Sequence, residues 1–179
     1  FLDGQGIVCR FKSVPHPTRT NIMLTGADGT ELKINRPGFP ELEFVGGDLS
    51  DFCRPLIASC DVFVMSGSLP ERFPAETYAR LVELARTEEV KTVLDTQAHY
   101  LEAALAARPD IIKPNLRELE QATGRPLSRQ RDRLEAVRDL AGRHEIAILS
   151  LGAEGAYFAD SGRIFLATPP GVQAVDSTG

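Results

Sequence analysis

Two hydrophobic periods share this chain, and they change over near residue 47. Before that point short apolar stretches alternate with polar residues at strand spacing. Residues 7–14 and 21–25 read as strands, and 31–35 reads as a third, with Leu32 and Ile34 on one face. Between the last two, Ala27-Asp28-Gly29-Thr30 is a hairpin signal, because Asp-Gly supplies the positive φ that a tight turn requires. Arg36-Pro37-Gly38 ends this small, polar-faced β layer.

From Gly47 onward the pattern alternates between helix and strand. Asp48 suits the N-cap of a helix over 48–59, in which Pro55 is an awkward guest able to kink it. Residues 61–65 form an apolar strand that runs into the loop Ser66-Gly67-Ser68-Leu69-Pro70. Pro74 opens a helix whose stripe of Tyr78, Leu81, Val82 and Ala85 recurs at i, i+3, i+4 and i+7. A strand over 92–94 ends in Asp95, 100–107 is helical, and Ile111 and Ile112 are a short buried strand. A helix over 131–142 carries Leu134, Val137 and Ala141. The strand 146–149 then leads into Ser150-Leu151-Gly152, and 156–159 with 164–167 closes a β pair around Ser161-Gly162. Such alternation means parallel βαβ units, helices on both sheet faces, and ligands at the carboxyl ends of strands.

Composition narrows the function classes. At 179 residues and 42% hydrophobic, the chain can bury one sizeable core. Its net charge of −5 and pI near 5.3, with no basic run longer than two residues, argue against nucleic acid and anionic membrane as partners. No apolar stretch reaches transmembrane length and no signal-peptide pattern opens the sequence, so the expected place is the cytoplasm. Cys9, Cys53 and Cys60 make no C-x-x-C pair, which fits free thiols in a reducing compartment, and the scattered His16, His99 and His144 do not read as a zinc site. The chain begins at Phe1 and ends at Gly179 inside a Gly-ended turn, and it reads as a piece of a longer protein.

Polar clusters fall repeatedly at strand ends. The sharpest is Lys113-Pro114-Asn115-Leu116-Arg117-Glu118. Pro114 stops the strand, Asn115 is a favoured N-cap, and Glu118 projects from the same first helical turn. An amide oxygen and a carboxylate beside a positive helix end, with a lysine at the strand tip, are groups a magnesium-nucleotide needs. The same spacing is that of a capping box, and the two roles are compatible. At the other end, Val175-Asp176-Ser177-Thr178-Gly179 is a turn able to expose backbone N–H groups to an anion.

Taken in order, Thr18-Arg19-Thr20-Asn21, Asp28-Gly29, Ser66-Gly67-Ser68-Leu69-Pro70, Lys113-Pro114-Asn115-x-x-Glu118-Leu119, Ser150-Leu151-Gly152-Ala153-x-Gly155-Ala156 and Asp176-Ser177-Thr178-Gly179 resemble the ribokinase-like (PfkB-type) sugar kinases. Within them the likeness is to the phosphosugar branch of 1-phosphofructokinases, tagatose-6-phosphate kinases and minor 6-phosphofructokinases. It runs from Thr18 to Gly179. It implies a three-layer α/β fold with a mostly parallel central sheet and a small β-sheet lid, the lid region over 1–46 and the α/β core over 47–179. In relatives the lid also pairs with a second subunit, which implies a possible homodimer here.

The resemblance also implies roles. ATP and Mg²⁺ are the expected cofactors, and the γ-phosphoryl passes to a sugar hydroxyl by positioning and charge neutralisation. Asn115 and Glu118 match positions that organise magnesium, and Asp95 sits where relatives carry a strand-end Asp near the metal network. Here, however, Asp95 is followed by Thr96-Gln97-Ala98 where relatives have a Ser or Gly run. Lys113 matches a residue near the nucleotide phosphates, and Ser150 and Gly152 match nucleotide-loop positions. Arg19 and Asn21 match the lid segment that contacts the sugar phosphate, a task that suits a bidentate guanidinium, and Ser66 and Ser68 match the loop beside it. The family's anion hole would begin at Gly179 with the base just beyond, so no catalytic base is expected in this chain and the 179 residues alone are not expected to turn over. The lid stretch 33–39 is most similar to that of 1-phosphofructokinases, which implies fructose 1-phosphate as acceptor. Tagatose 6-phosphate and fructose 6-phosphate stay open, as does a non-catalytic regulator of the same fold that binds nucleotide or sugar phosphate.

Overall fold

The computed structural model describes residues 2–14, 16–26, 28, 30–35, 49–70 and 73–171. Its elements run β1 (Asn21–Thr25), β2 (Glu31–Asn35), α1 (Leu49–Ile57), β3 (Val62–Ser66), α2 (Thr77–Thr87), β4 (Lys91–Asp95), α3 (Ala98–Ala107), β5 (Ile111–Ile112), α4 (Leu116–Thr123), α5 (Gln130–Ala141), β6 (Ile146–Ser150), β7 (Ala156–Ala159) and β8 (Ile164–Ala167). β1 and β2 form a separate antiparallel pair. β3 to β8 form one six-stranded sheet in sequence order, parallel from β3 through β6 and antiparallel at the β6–β7 and β7–β8 hairpins. The expected α/β class, mostly parallel sheet and small β layer are all present.

Helices α1 to α4 pack successively beside one another, and α5 lies against β6 and β7. Their apolar stripes bury one face of the sheet. Leu81, Val82, Leu101, Leu119 and Val137 from the helices enclose Met65, Leu94, Ile112, Leu149 and Tyr157 from the strands. Side chains alternate along a strand, so the registers place Val64, Val93, Ile111, Ile148, Phe158 and Phe165 on the other face. Among the described residues that face is left open, with Val64 60% and Phe165 54% exposed. The described residues thus build the sheet and one helical layer, and the second face offers an apolar surface suited to another.

Several local expectations shift. Residues 7–14 form no strand; Ile7, Val8 and Phe11 are exposed, and no strand ladder among the described residues includes this stretch. α2 begins at Thr77 rather than at Pro74, because Thr77 turns its N–H (3.0 Å) and Oγ1 (2.7 Å) onto the Pro74 carbonyl and makes a separate turn first. The β1–β2 connection closes with the Gly26 N–H on the Thr30 carbonyl (2.8 Å) and the Thr30 N–H on Asp28 Oδ1 (3.0 Å), a wider loop than a two-residue turn. Ala27, Gly29, the 36–38 stop, the Asp48 cap and the 175–179 turn lie outside the described residues.

The two edges of the parallel sheet differ in their polar chemistry. At the amino edge the charges are satisfied internally. Asp110 accepts from the Thr92 N–H (2.8 Å) and Oγ1 (2.7 Å), and Lys91 pairs with Asp110 (3.3 Å) and with Glu145. Hydrogen bonds and the Lys91 charge hold the Asp110 carboxyl below its usual range in spite of partial burial. The carboxyl edge is arranged otherwise.

Candidate functional site

At the carboxyl edge the backbone ladder continues past the strands and ties their polar ends together. Ser66 and Asp95 are register partners. The Gly67 N–H donates to the Asp95 carbonyl (3.1 Å), the Lys113 N–H to the Leu94 carbonyl (2.9 Å) and the Ser150 N–H to the Pro114 carbonyl (3.0 Å). A parallel bridge then pairs Asn115 with Ser150. Residues separated by up to 84 positions thereby meet along one edge, as the strand-end clustering predicted.

Asn115 caps α4 in a reciprocal box. Its Oδ1 accepts from the Glu118 N–H (2.9 Å), and Glu118 Oε2 accepts from the Asn115 N–H (2.8 Å). The carboxylate keeps its second oxygen and further lone pairs beyond the cap. That donor set fits a hard, largely hydrated magnesium ion, which needs few protein oxygens because substrate phosphates and water supply the rest. Among the described residues no group of three His, Cys, Asp or Glu is placed to hold a metal.

Lys113, expected near phosphate, and Asp95, expected near metal, are joined by an ion pair at 2.9 Å with side chains 40% and 33% exposed. Both therefore meet water and can exchange this partner for an arriving one at small cost. Gly152 opens a 3-10 turn (Gly152–Glu154) directly after β6, with φ of 62° and nothing within 4 Å of where a Cβ would stand. Backbone there is open to close approach by a ligand. Ser150 Oγ leans on the Pro114 carbonyl at 3.4 Å. Gly155, which ends the same turn, is confined; its φ is 101°, and a Cβ would stand 2.0 Å from the Ala167 carbonyl oxygen.

A cleft of about 420 Å³ opens between the segment leading into β1 and the connection from β3 to α2. Arg19 and His16 line it from one side, and Ser68, Leu69, Pro70 and Phe73 from the other. Ser68 Oγ is buried there without a hydrogen-bond partner among the described residues. Arg19 and Ser68 are thus brought together as expected. Asn21, at the start of β1, and the exposed Ser66 do not line this cleft.

The residues that shape the Ser66–Pro70 loop from beneath were not read as functional in the sequence. The Tyr78 hydroxyl donates to the Gly67 carbonyl (3.0 Å), and Thr96 Oγ1 donates to the same oxygen (3.4 Å). The Tyr100 hydroxyl donates to the Pro70 carbonyl (3.1 Å), and the two rings meet edge to face at 5.8 Å. Burial pushes the Tyr78 phenol above its ordinary range, so it stays a donor. A buried tyrosine needs a partner for its hydroxyl, and that need was the available signal in a stripe otherwise read as apolar core.

Comparison with known proteins identifies the family. The model of the pfkB family carbohydrate kinases matches residues 1–179. The 1-phosphofructokinase of Rhodobacter capsulatus is 35% identical over 180 residues, covering 97% of this chain and 56% of the relative. That of Escherichia coli (strain K12) is 34% identical over 179 residues, with the same coverage. The chain thus spans about half the length of the curated relatives it matches. Among solved structures, Escherichia coli phosphofructokinase-2 in complex with fructose-6-phosphate superposes with a TM-score of 0.83 at 25% identity, covering 99% of this chain and 60% of that one. Its tetrameric inhibited form gives 0.81 at 25% identity, over 96% and 58%.

Proposed function

The chain belongs to the pfkB family of carbohydrate kinases, and we propose that the protein carrying it transfers the γ-phosphoryl group of ATP to fructose 1-phosphate, giving fructose 1,6-bisphosphate. One observation carries the acceptor half of this reading. Arg19 and the orphaned Ser68 hydroxyl share a cleft whose described lining contains no carboxylate. A guanidinium and a buried hydroxyl donor are what a phosphoryl group on the acceptor would bind. Relatives at 34–35% identity named 1-phosphofructokinase favour fructose 1-phosphate. The superposition on a fructose-6-phosphate complex gives the 6-phosphate ester as the second reading.

The donor half is assigned to the strand ends. Lys113 would neutralise nucleotide phosphate, the 150–152 turn would accept the nucleotide against its backbone, and Asn115 and Glu118 would hold Mg²⁺ through their oxygens. Bound there, Mg²⁺ would offset the negative charge on the transferring group. The protein's own contribution is orientation: the Asn115–Ser150 bridge fixes the α4 start to the β6 turn, and Tyr78, Tyr100 and Thr96 fix the acceptor loop. Among the described residues no helix is long and apolar enough to cross a membrane, and the three cysteines form no disulfide, which suits the reducing cytoplasm proposed as its place. β1 and β2 put Ile22, Leu24, Leu32 and Ile34, all partly exposed, on one face, and a second copy is the proposed cover.

A coupled ADP-release assay on the complete natural polypeptide tests the reading, with MgATP and fructose 1-phosphate, fructose 6-phosphate and tagatose 6-phosphate in parallel. The highest kcat/KM is expected with fructose 1-phosphate, and Arg19→Ala should raise KM for that sugar about 10–100-fold, the loss of one charge-assisted hydrogen-bond pair. Absence of turnover with all three esters refutes the kinase assignment. An Arg19→Ala enzyme of unchanged KM refutes the cleft.

A further inference from the structure

The Ser66–Pro70 loop turns on a glycine that packing does not hold. Gly67 has φ of 106°, and no atom beyond its chain neighbours lies within 4 Å of where a Cβ would stand. A glycine in open space has more conformational freedom than any other residue, so its peptide units rotate unless hydrogen bonds stop them. Three do. The Gly67 N–H donates to the Asp95 carbonyl (3.1 Å), the Tyr78 hydroxyl donates to the Gly67 carbonyl (3.0 Å), and Thr96 Oγ1 donates to the same oxygen (3.4 Å).

Asp95 and Thr96 are consecutive, so the end of β4 holds the glycine at both its N–H and its carbonyl, and Tyr78 adds a donor from α2. Tyr78 is 5% exposed and Thr96 4%, so neither hydroxyl can trade this carbonyl for bulk water. A carbonyl has two lone pairs, and the two hydroxyls fill them. The oxygen they hold belongs to the peptide unit that joins Gly67 to Ser68. That unit is planar, so fixing its oxygen fixes where the Ser68 N–H points and where the Ser68 Cα stands. Ser68 in turn lines the cleft with Arg19, its Oγ buried without a hydrogen-bond partner among the described residues.

Resting on the reading of this cleft as the acceptor site, we propose that Tyr78 and Thr96 are positioning residues for acceptor binding, whose hydroxyls hold the Gly67–Ser68 peptide so that Ser68 meets the sugar's phosphoryl group already oriented. Both act through Ser68 rather than on the ligand. Loss of either hydroxyl leaves the glycine freer to turn, and part of the binding energy then goes into ordering the loop. The structural alternative is that the two side chains only fill core, in which case phenylalanine and valine, of nearly the same volumes, serve as well.

Calorimetric titration of the complete natural polypeptide with fructose 1-phosphate and fructose 6-phosphate, beside steady-state kinetics, separates the two. Tyr78→Phe should raise Kd and KM for the preferred ester about five- to tenfold, and Thr96→Val, which removes the longer bond, about threefold. Thr96→Ser keeps the hydroxyl and should bind the ester as the native protein does. In all three variants kcat and the KM for MgATP should stay within about twofold, because only acceptor binding is weakened. Unchanged ester affinity in both Tyr78→Phe and Thr96→Val overturns the proposal. So does an equal rise in both substrates' KM, or a Thr96→Ser protein no better than Thr96→Val, either of which would report a disturbed core. Arg19→Ala measured alongside keeps the two claims apart. Ester binding weakened by Arg19→Ala but by neither hydroxyl variant removes the positioning role and leaves the cleft assigned. A native protein that binds neither ester removes both.

Discussion

The turn after β6 contains two glycines whose replacement should have opposite consequences. Gly155 has φ of 101° and ψ of −136°, a region open to glycine and costly for any L side chain. An added methyl would stand 2.0 Å from the Ala167 oxygen, 3.0 Å from the Ala167 carbonyl carbon and 3.1 Å from Pro169 Cδ. Two of these atoms are backbone at the end of β8, so relief requires shifting the Ala156–Ala167 register pair by an ångström or more. Backbone strain of about 1–3 kcal/mol, plus one or two weakened ladder hydrogen bonds at about 1 kcal/mol each, gives a loss of about 2–5 kcal/mol for Gly155→Ala. Gly152, at φ of 62° with open space around it, should lose only about 1 kcal/mol as alanine, the left-handed penalty alone. Urea denaturation of the two variants beside the native protein measures both. Kinetics should show the reverse order per unit of stability lost, because the methyl of Gly152→Ala enters the space proposed for nucleotide and raises KM for MgATP. A Gly155→Ala protein as stable as Gly152→Ala would refute this reasoning about the turn.

Three further outcomes follow from the same geometry. Glu118→Gln keeps an oxygen for the Asn115 N–H, so stability should change by less than about 0.5 kcal/mol while the half-saturating Mg²⁺ concentration rises about tenfold; Glu118→Ala should lose about 1 kcal/mol as well, and equal Mg²⁺ titrations for native and Gln proteins would remove Glu118 from the metal site. Asp95→Asn should cost no more than about 1 kcal/mol, since its pair with Lys113 is partly exposed, yet raise KM for MgATP several-fold by removing the carboxylate that positions the Lys113 ammonium; an unchanged KM would make the pair a surface contact only. His144 is buried, with Nδ1 2.7 Å from the Pro109 carbonyl, and burial holds its pKa below the ordinary value of about 6.5. The unfolded chain therefore binds the proton first, and stability should fall as pH drops below about 6.5; His144→Asn should flatten that slope between pH 7.5 and 5.5, and an unaltered slope would assign it elsewhere.

Much of this architecture was legible because its signals are local. The apolar runs at β3, β4 and β6, the Pro114 stop and the Asn115–Glu118 spacing each need only a few neighbouring residues, and each appears in the fold with boundaries moved by a residue or two. What failed depended on partners distant in sequence. Residues 7–14 have strand composition, but strand formation needs a neighbouring strand, and no sheet of the described residues includes them. Nor do the local sequences of Lys113 and Asp95 show that adjacent strands end side by side and pair these two side chains at 2.9 Å, a contact that leaves their expected roles untouched.

The tyrosines show the same limit from the other direction. Tyr78 and Tyr100 sit at buried helix positions, where pattern reading accepts them as core, and burial of 95% or more agrees. Yet their hydroxyls carry the Ser66–Pro70 loop, at Gly67 and Pro70, and a phenylalanine would fill the same volume without doing so. Core and site are therefore not separate layers in this fold. The loop that presents Ser68 to the cleft is fixed by the side chains that also seal α2 against α3, so packing in that helix pair and geometry in the cleft are set by the same two rings.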